Sequence, residues 1–418
     1  MAVGRFIVLC AVSGTLLAPS AAAAAPKPDD RRTCAEASGE VAIAACSRVI
    51  ASGRYRGSDL AKAYFYRGVE YRERGDLDRA IVDYSEAIRF DPKFALAYNN
   101  RGLALQDRGE LDRAIADYDE AIRFDPKLAL PYSNRGLALH QKGELDRALA
   151  DYDAAIRLDP EFAQAYYNRG LAWQDKGDLD RALADYTQAI KLNPLPKSPT
   201  HINVYVDRGV VWRVKGEVDR AIADFNDAIR LDPKYATAWR GRGDAWRDKG
   251  NLDRAIADYT EAISLDPKSA TAYRSRGVAY LYGGDPAKAL ADVNQASELD
   301  PKDPYQALWV DIVGQRNGLA SRLERAITKV DMTKWPGPLL RLLLGQSTAA
   351  AVLAAADHPD AKKKTDRVCE ANFYSGIAAL RKDAKDEAAK LFRSAADGCP
   401  HDFIEWYAAH AELRQLGQ

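Results

Sequence analysis

The stretch ALAYNNRGLALQDRGELDRAIADYDEAIRFDPKL, residues 95–128, is 34 residues long, and its neighbours copy it. GDLDRAIVDYSEAIRFDPK precedes it and GELDRALADYDAAIRLDPE follows at the same spacing. A fixed period of this size decides the fold before any local reading. Within the unit, Tyr98, Gly102 and Leu105 share one face of a first segment. Arg108-Gly109-Glu110 makes the turn, where glycine tolerates the left-handed geometry that ends a helix. Leu111, Ala114, Ile115, Tyr118, Ala121 and Ile122 recur at helical spacing in a second segment. Asp125-Pro126 closes the unit, because a residue before proline is pushed out of helical geometry.

Each unit therefore reads as helix, turn, helix, stop. Gly102, Ala114 and Ala121 let the two helices approach, and Tyr98 and Tyr118 fill the space beside them. One such hairpin cannot bury its apolar face alone, whereas stacked copies can. The fold class is all-α, an α-solenoid of helix-turn-helix repeats. Tyr98, Gly102, Leu105, Ala114, Tyr118, Ala121 and Pro126 fall at positions 4, 8, 11, 20, 24, 27 and 32 of the unit. In this the chain resembles the tetratricopeptide repeat (TPR) family, which implies a right-handed superhelix and a protein-binding groove.

Working outward, seven full repeats span 61–94, 95–128, 129–162, 163–196, 202–235, 236–269 and 270–303. Leu195-Pro-Lys-Ser-Pro-Thr-His201 breaks the register between the fourth and fifth, and its prolines predict an extended surface loop. Beyond Asp303 the pattern decays into a degenerate helical region, 304–368. Its expected parts are a helix over Pro304–Gly318, a partner helix over Leu319–Val330 and a stop at Trp335-Pro-Gly-Pro338. Short helices at Leu339–Leu344 and Thr348–Ala356 follow, the second capped by Ser347, then a polar loop at His358–Thr365. A last repeat returns at 369–402, followed by a terminal helix, Asp402–Leu416, within a final segment 369–418. Glu405, His410, Glu412 and Arg414 are expected on the outer, solvated side of that capping helix. Asp303-Pro-Tyr305, Leu308-Trp309, Asn372-Phe-Tyr374, Gly376 and Leu416-Gly-Gln418 resemble the NlpI-type bacterial envelope adaptors over roughly the last 120 residues. That resemblance implies a non-catalytic, often dimeric scaffold linking envelope proteases and peptidoglycan enzymes.

Residues 1–25 read as a signal peptide: Arg5, an apolar run Phe6–Leu17, and small residues Ser20–Ala25. Cys10 lies inside the apolar run, so no lipid-anchor motif is present, and no later stretch is apolar enough to span a bilayer. The expected location is periplasmic or secreted. Four of the five cysteines remain after cleavage, and an exported chain favours pairing them. Residues 26–60 read as an N-terminal capping hairpin with Cys34 and Cys46 on facing helices. Cys369 and Cys399 lie on the two helices of the last repeat. The repeat frame therefore pairs Cys34–Cys46 and Cys369–Cys399.

Charge is balanced, with 60 basic and 60 acidic residues, so composition makes no case for nucleic acid or an anionic membrane. Phosphate-binding, nucleophile-elbow and zinc-protease motifs are absent from the sequence, and the five histidines are scattered. No cofactor or metal is expected, and the chain reads as a non-enzyme. Function then falls to a surface. In the resembled family the first helix of each unit lines the groove. Asn100, Asn134 and Asn168 occupy position 6, and Gln106, His140 and Gln174 occupy position 12. Amides donate and accept, which suits the backbone of an extended peptide or a helix. Arg213, Arg240, Arg247 and Arg274 make units five to seven read as a basic half for acidic partners. The rival reading, a peptidoglycan- or glycan-binding module, needs exposed aromatics, for which Phe65, Tyr66, Tyr167 and Tyr282 are the candidates. Trp173, Trp212 and Trp246 at position 11 read as packing residues.

Overall fold

The structure, a computed structural model, describes residues 29–192 and 199–418. The leader reading, residues 1–25, and most of the register break lie outside them. The chain divides into two compact units, residues 1–160 and 161–418. Among the described residues the regular structure is helical throughout, and 23 α-helices alternate with short turns.

The first unit holds four hairpins: α1 (Asp30–Glu36) with α2 (Gly39–Ala51), α3 (Gly57–Glu73) with α4 (Leu77–Phe90), α5 (Ala95–Asp107) with α6 (Leu111–Phe124), and α7 (Ala129–Gln141) with α8 (Leu145–Leu158). Gly109 turns the chain at φ +82°, a conformation that costs glycine little. The seam depends on the missing side chain of Gly102, because a Cβ there would lie 2.7 Å from a Tyr118 ring carbon. Ala114, Ala121 and Tyr118 are fully buried beside it. Gly102→Leu is therefore expected to lower stability by about 1–3 kcal/mol through overpacking, read as a lower urea midpoint with loss of amide protection in α5 and α6. An unchanged midpoint would show that Tyr118 can swing aside.

The amino-terminal hairpin is pinned by the Cys34–Cys46 disulfide, S–S 2.08 Å, and by Arg48 donating to both carboxylate oxygens of buried Asp30 at 3.0 and 2.6 Å. The expected pairing thus holds at this end. It holds also for Cys369–Cys399, S–S 2.09 Å.

The second unit continues with α9 (Ala163–Lys176) and α10 (Leu179–Leu192), α11 (Pro199–Val214) and α12 (Val218–Leu231), α13 (Ala236–Asp248) and α14 (Leu252–Leu265), and α15 (Ala270–Tyr282) and α16 (Pro286–Leu299). Helix α11 begins at Pro199, so the end of the register break is helical where an extended loop was expected. Proline at a first helical position is compatible with this, since its missing N–H would have no partner there anyway.

Past α16 come α17 (Pro304–Arg316), α18 (Leu323–Ala326), α19 (Gly337–Leu343), α20 (Ala349–Ala355), α21 (Ala361–Leu380), α22 (Lys385–Gly398) and α23 (Ile404–Gln415). Several expectations are corrected here. The partner helix over 319–330 shrinks to α18 and a 3₁₀ turn, Ile327–Lys329, and Ser321 accepts from the Leu323 amide at the start of α18 at 3.2 Å while donating to buried Asp311 at 2.5 Å. Thr348, not Ser347, caps α20 by accepting from the Ala351 amide at 3.2 Å. The expected loop 358–365 is mostly the first turn of α21, capped by Asp360 accepting from the Lys363 amide at 2.9 Å. The region is also no loose appendage: Trp309, Phe373, Tyr374 and Phe392 are buried in one core that runs from Val278 to Ala409.

Candidate functional site: the face lined by the first helices

A ladder of ion pairs that the sequence reading missed aligns the repeats. Arg67, Arg101, Arg135, Arg169, Arg208, Arg242 and Arg276 stand at position 7 of the seven repeats. Each grips an aspartate sixteen residues later, from Asp83 to Asp292, through two bonds of 2.6–2.9 Å. The fork of the guanidinium matches a carboxylate in this bidentate geometry. Most reach a third partner on the preceding second helix as well: Arg67 to Ser47, Arg101 to Ser85 and Arg276 to Thr260, at 3.0, 3.1 and 3.1 Å. Each guanidinium also lies over the position-4 ring, as Arg101 does over Tyr98 at 5.6 Å. Arginine at position 7 and aspartate at position 23 recur in step along the sequence, which was the available signal.

On the first-helix face of the first unit, a second set of rungs joins neighbouring repeats. Gln106 donates to Gln141 at 3.1 Å, and Asn134 donates to Asn99 at 2.9 Å. Asn99 in turn donates to Asn100 at 3.0 Å, and Arg72 pairs with Asp107 at 3.0 Å. Of the predicted amides, Asn100 and Asn134 are thus linked through Asn99, while Gln106 stands apart with Gln141 and the Tyr118 hydroxyl. His140 is half-buried in the same row. Leu96, Asn100 and Leu103 stand at helical spacing on one side of α5, and Leu130, Asn134 and Leu137 repeat the stripe on α7. Leu96 and Leu130 are 38% and 43% exposed. The result is a surface of alternating apolar and amide stripes.

In the second unit Asn168 is buried and accepts from Gln164 at 2.9 Å, while Gln174 accepts from the Tyr186 hydroxyl at 2.6 Å. The expected basic half is corrected. Arg213 and Arg247 are only 5% and 2% exposed. Arg213 donates to Asp248 at 2.7 Å, and Arg247 donates to Asp248 and Asp244 at 2.9 and 3.3 Å. Arg240 pairs with Asp244 at 3.2 Å and Arg274 with Asp303 at 2.9 Å. Burial pushes Asp244 toward its neutral form, but Arg247, Arg213 and Arg240 prevail and hold its carboxyl below the usual range. Asp244 and Asp248 of α13 pair with Arg213, Arg240 and Arg247, and Asp303, the cap of α17, pairs with Arg274, so each of these four arginines already has an acidic partner within the chain.

Helix α23 lies over the same face. The Arg247 guanidinium sits 5.7 Å from the centre of the Tyr407 ring, and Tyr407 meets Tyr282 edge-on at 5.8 Å. Tyr282 donates to Glu412 at 2.9 Å, and Arg316 grips Glu412 from α17 at 2.6 and 2.7 Å. Arg213 also reaches the Asp402 carbonyl at 3.4 Å. Glu405 and Glu412, expected on a solvated outer side, are 3% and 1% exposed. The 3.6-residue period of α23 places carboxylates on a face that reads as polar, and only the positions of Tyr282, Arg316 and Tyr374 reveal that it points inward.

The aromatics of the glycan reading are largely committed to packing. Phe65 lies against Tyr84 and Phe94 at 5.9 and 5.0 Å, Tyr167 is buried and donates to Asp207 at 2.7 Å, and Tyr282 is held by α23. Tyr66 packs on the cluster around Cys34 and Cys46. Trp173, Trp212 and Trp246 are covered by Arg181, Arg220 and Arg254 at 4.5, 4.7 and 4.5 Å, consistent with their reading as packing residues. No helix among the described residues is long and apolar enough to cross a membrane.

Comparison with known proteins agrees with the repeat reading. Models of the TPR repeat match residues 68–108, 104–143 and 136–177, and models of the tetratricopeptide repeat match 163–194, 213–270 and 247–304. Among solved structures, the chain is similar to YrrB, described as a TPR protein with an unusual peptide-binding site: 28% identity, 46% of this chain, 95% of that one, TM-score 0.39. It is similar to a tetratricopeptide repeat protein from Parabacteroides merdae at 22% identity over 60% of this chain and 98% of that one, TM-score 0.46. It is also similar to the Cut9-Hcn1 hetero-tetramer of the APC/C at 18% identity over 65% and 52% of the two chains, TM-score 0.50. Together the matched repeats cover just over half of the sequence, and the chain belongs to the tetratricopeptide-repeat proteins.

Proposed function

We propose that the protein is a non-catalytic scaffold that holds polypeptide partners on the first-helix face of repeats two and three. The observation that carries this reading is the pair of neighbouring stripes, Leu96-Asn100-Leu103 and Leu130-Asn134-Leu137, tied side by side by the Asn134–Asn99 hydrogen bond. Apolar side chains beside amides offer a segment both burial and main-chain hydrogen bonds. Membership of a repeat family whose members bind proteins supports the same reading. An exported, periplasmic or secreted chain is part of the proposal: the leader-like residues 1–25 motivate it, and two disulfides are in keeping with an oxidising compartment. The finer form, a scaffold joining envelope proteases to peptidoglycan enzymes, rests on the sequence resemblance of the last part of the chain.

The test is a photo-crosslinking amino acid placed at Leu96 or Leu130, with exposed Val82 on α4 as the control position. Polypeptide adducts should form at the first two positions and fall at least fivefold when Asn134→Ala and Gln106→Ala are added. The same cells, fractionated, should hold the chain in the exported fraction with both disulfides oxidised. Adducts equal to those at Val82, or indifferent to the amide substitutions, would remove this face as the binding surface.

A further inference from the structure

The geometry points to α23 as a built-in competitor: the first-helix face of repeats five to seven is a binding surface for an α-helix, and the chain's own C-terminal helix occupies it in the resting state. The cognate helix carries an aromatic ring followed five residues later by a carboxylate, as Tyr407 and Glu412 are spaced in α23. This goes beyond the proposed function, since it concerns other repeats and does not require that repeats two and three bind anything.

Three features set the side of α23 that meets the first helices apart from its other side, where Ala408 and Ala409 join the C-terminal core. First, what α23 covers is charged. Arg213, Asp244, Arg247 and Asp248 lie beneath or beside it, with side chains 2–9% exposed. Taking charges out of water is costly even when they are paired, and withdrawal of α23 would uncover Arg247, which lies against the Tyr407 ring, and Asp248, on the wall of the cleft beside the helix, while leaving their mutual ion pair in place. A seat of this kind holds its occupant less tightly than an apolar one of equal area.

Second, the apolar residues of α23 and its C-cap, Ala408 and Ala409 with Ile404, Trp406, Leu413 and Leu416, belong to or pack on the C-terminal core, and few are left to offset that cost on the first-helix side of α23. Its fully buried apolar residues are Tyr407 and three alanines, Ala408, Ala409 and Ala411. Its polar anchors are Tyr282 and Arg316 on Glu412 and Tyr374 on Glu405, and Arg213 reaches the Asp402 carbonyl just before the helix begins. Third, clefts flank the helix on both sides. One of about 500 Å³ opens between α23 and the Asp248–Leu252 turn of repeat six, with Trp406, His410 and Arg414 on its wall. The other, about 390 Å³, lies between α23 and the Ile312 and Ile377 sides of α17 and α21. The occupant therefore fills the channel incompletely, and a longer or bulkier helix of the same pattern would find unclaimed space.

Hydrogen exchange on the unmodified full-length chain tests the first half of this inference. Amides of α23 should exchange at least tenfold faster than those of α21 and α22, through opening of α23 alone. Exchange of all three helices at one common rate would make α23 an integral part of the C-terminal core and overturn the proposal. The second half uses a fluorescently labelled synthetic peptide of residues 401–418 as the probe. The chain carrying Tyr407→Ala and Glu412→Gln should bind it at least tenfold more tightly than the unsubstituted chain, and unlabelled peptide should compete. Equal binding by both chains, with unchanged helical circular dichroism, would overturn the proposal. Loss of helical signal in the double variant would do so too, because a removable competitor is not needed for folding.

Discussion

Asp117→Ala should destabilise the chain by about 2–4 kcal/mol, somewhat below the cost of orphaning a fully buried charge. The side chains of Arg101 and Asp117 are 23% and 9% exposed, so the guanidinium left behind reaches water only in part. It would keep its bond to Ser85 and its place over Tyr98, but neither supplies the lost negative charge. The effect should be read as a lower unfolding midpoint together with early loss of amide protection in α5 and α6, because a stacked array need not unfold in one step. Arg101→Met with Asp117→Leu should recover most of the loss, since replacing both partners by apolar residues leaves no orphaned charge. If the single variant matches the parent chain, the ladder is decorative. If the double variant is no better than the single one, shape and not charge sets the cost.

The second large effect is a dependence on pH centred on Glu370. Its carboxylate accepts from the Tyr305 hydroxyl at 2.9 Å and from the Trp335 indole at 2.6 Å, while Tyr374 donates to Glu405 at 3.0 Å. Burial, then the negative charge of Glu405, pushes Glu370 up to about 8; Trp335 and Tyr305 pull against that shift, and Asp366 adds to it. Glu405 is raised as well, by burial first, with Tyr374, Arg274 and Arg247 opposing. The sign follows from proton counting. In the window between the ordinary glutamate range and pH 8 the folded chain keeps a proton that the unfolded chain has lost. Stability therefore falls as pH rises through that window and levels off above it. Glu370→Gln imitates the protonated form and should flatten the fall, by up to roughly 4 kcal/mol at pH 9. Thermal midpoints of both chains from pH 5 to 9 would decide this. Parallel curves would show that the folded chain does not hold the proton on Glu370.

Most of the fold was legible because it is written seven times. Gly102 against Tyr118, the Gly109 turn and the Asp125-Pro126 stop are local rules, and a local rule repeated at a fixed spacing identifies itself. Both disulfides were legible for the same reason: the repeat frame put Cys34 opposite Cys46 and Cys369 opposite Cys399. The Arg101–Asp117 pair lay in the same pattern but was missed, since charged residues on amphipathic helices read as solvated until their partners are known. Reading ended where the period ended. Nothing periodic marks the 319–330 segment, which forms only a short helical turn, or the start of α21 at Ala361.

The candidate site divided along the same line. The sequence by itself determined the stacked helical hairpins, the two cysteine pairs, and the recurring amides Asn100 and Asn134, because helical spacing repeated in a fixed frame settles each of these. Only the tertiary structure decided that Arg213 and Arg247 are buried and neutralised, and that Glu405 and Glu412 point inward. Those outcomes depend on contacts such as Tyr282 with Glu412, 130 residues apart, and no local pattern in a chain encodes which distant helix will come to rest on a given face.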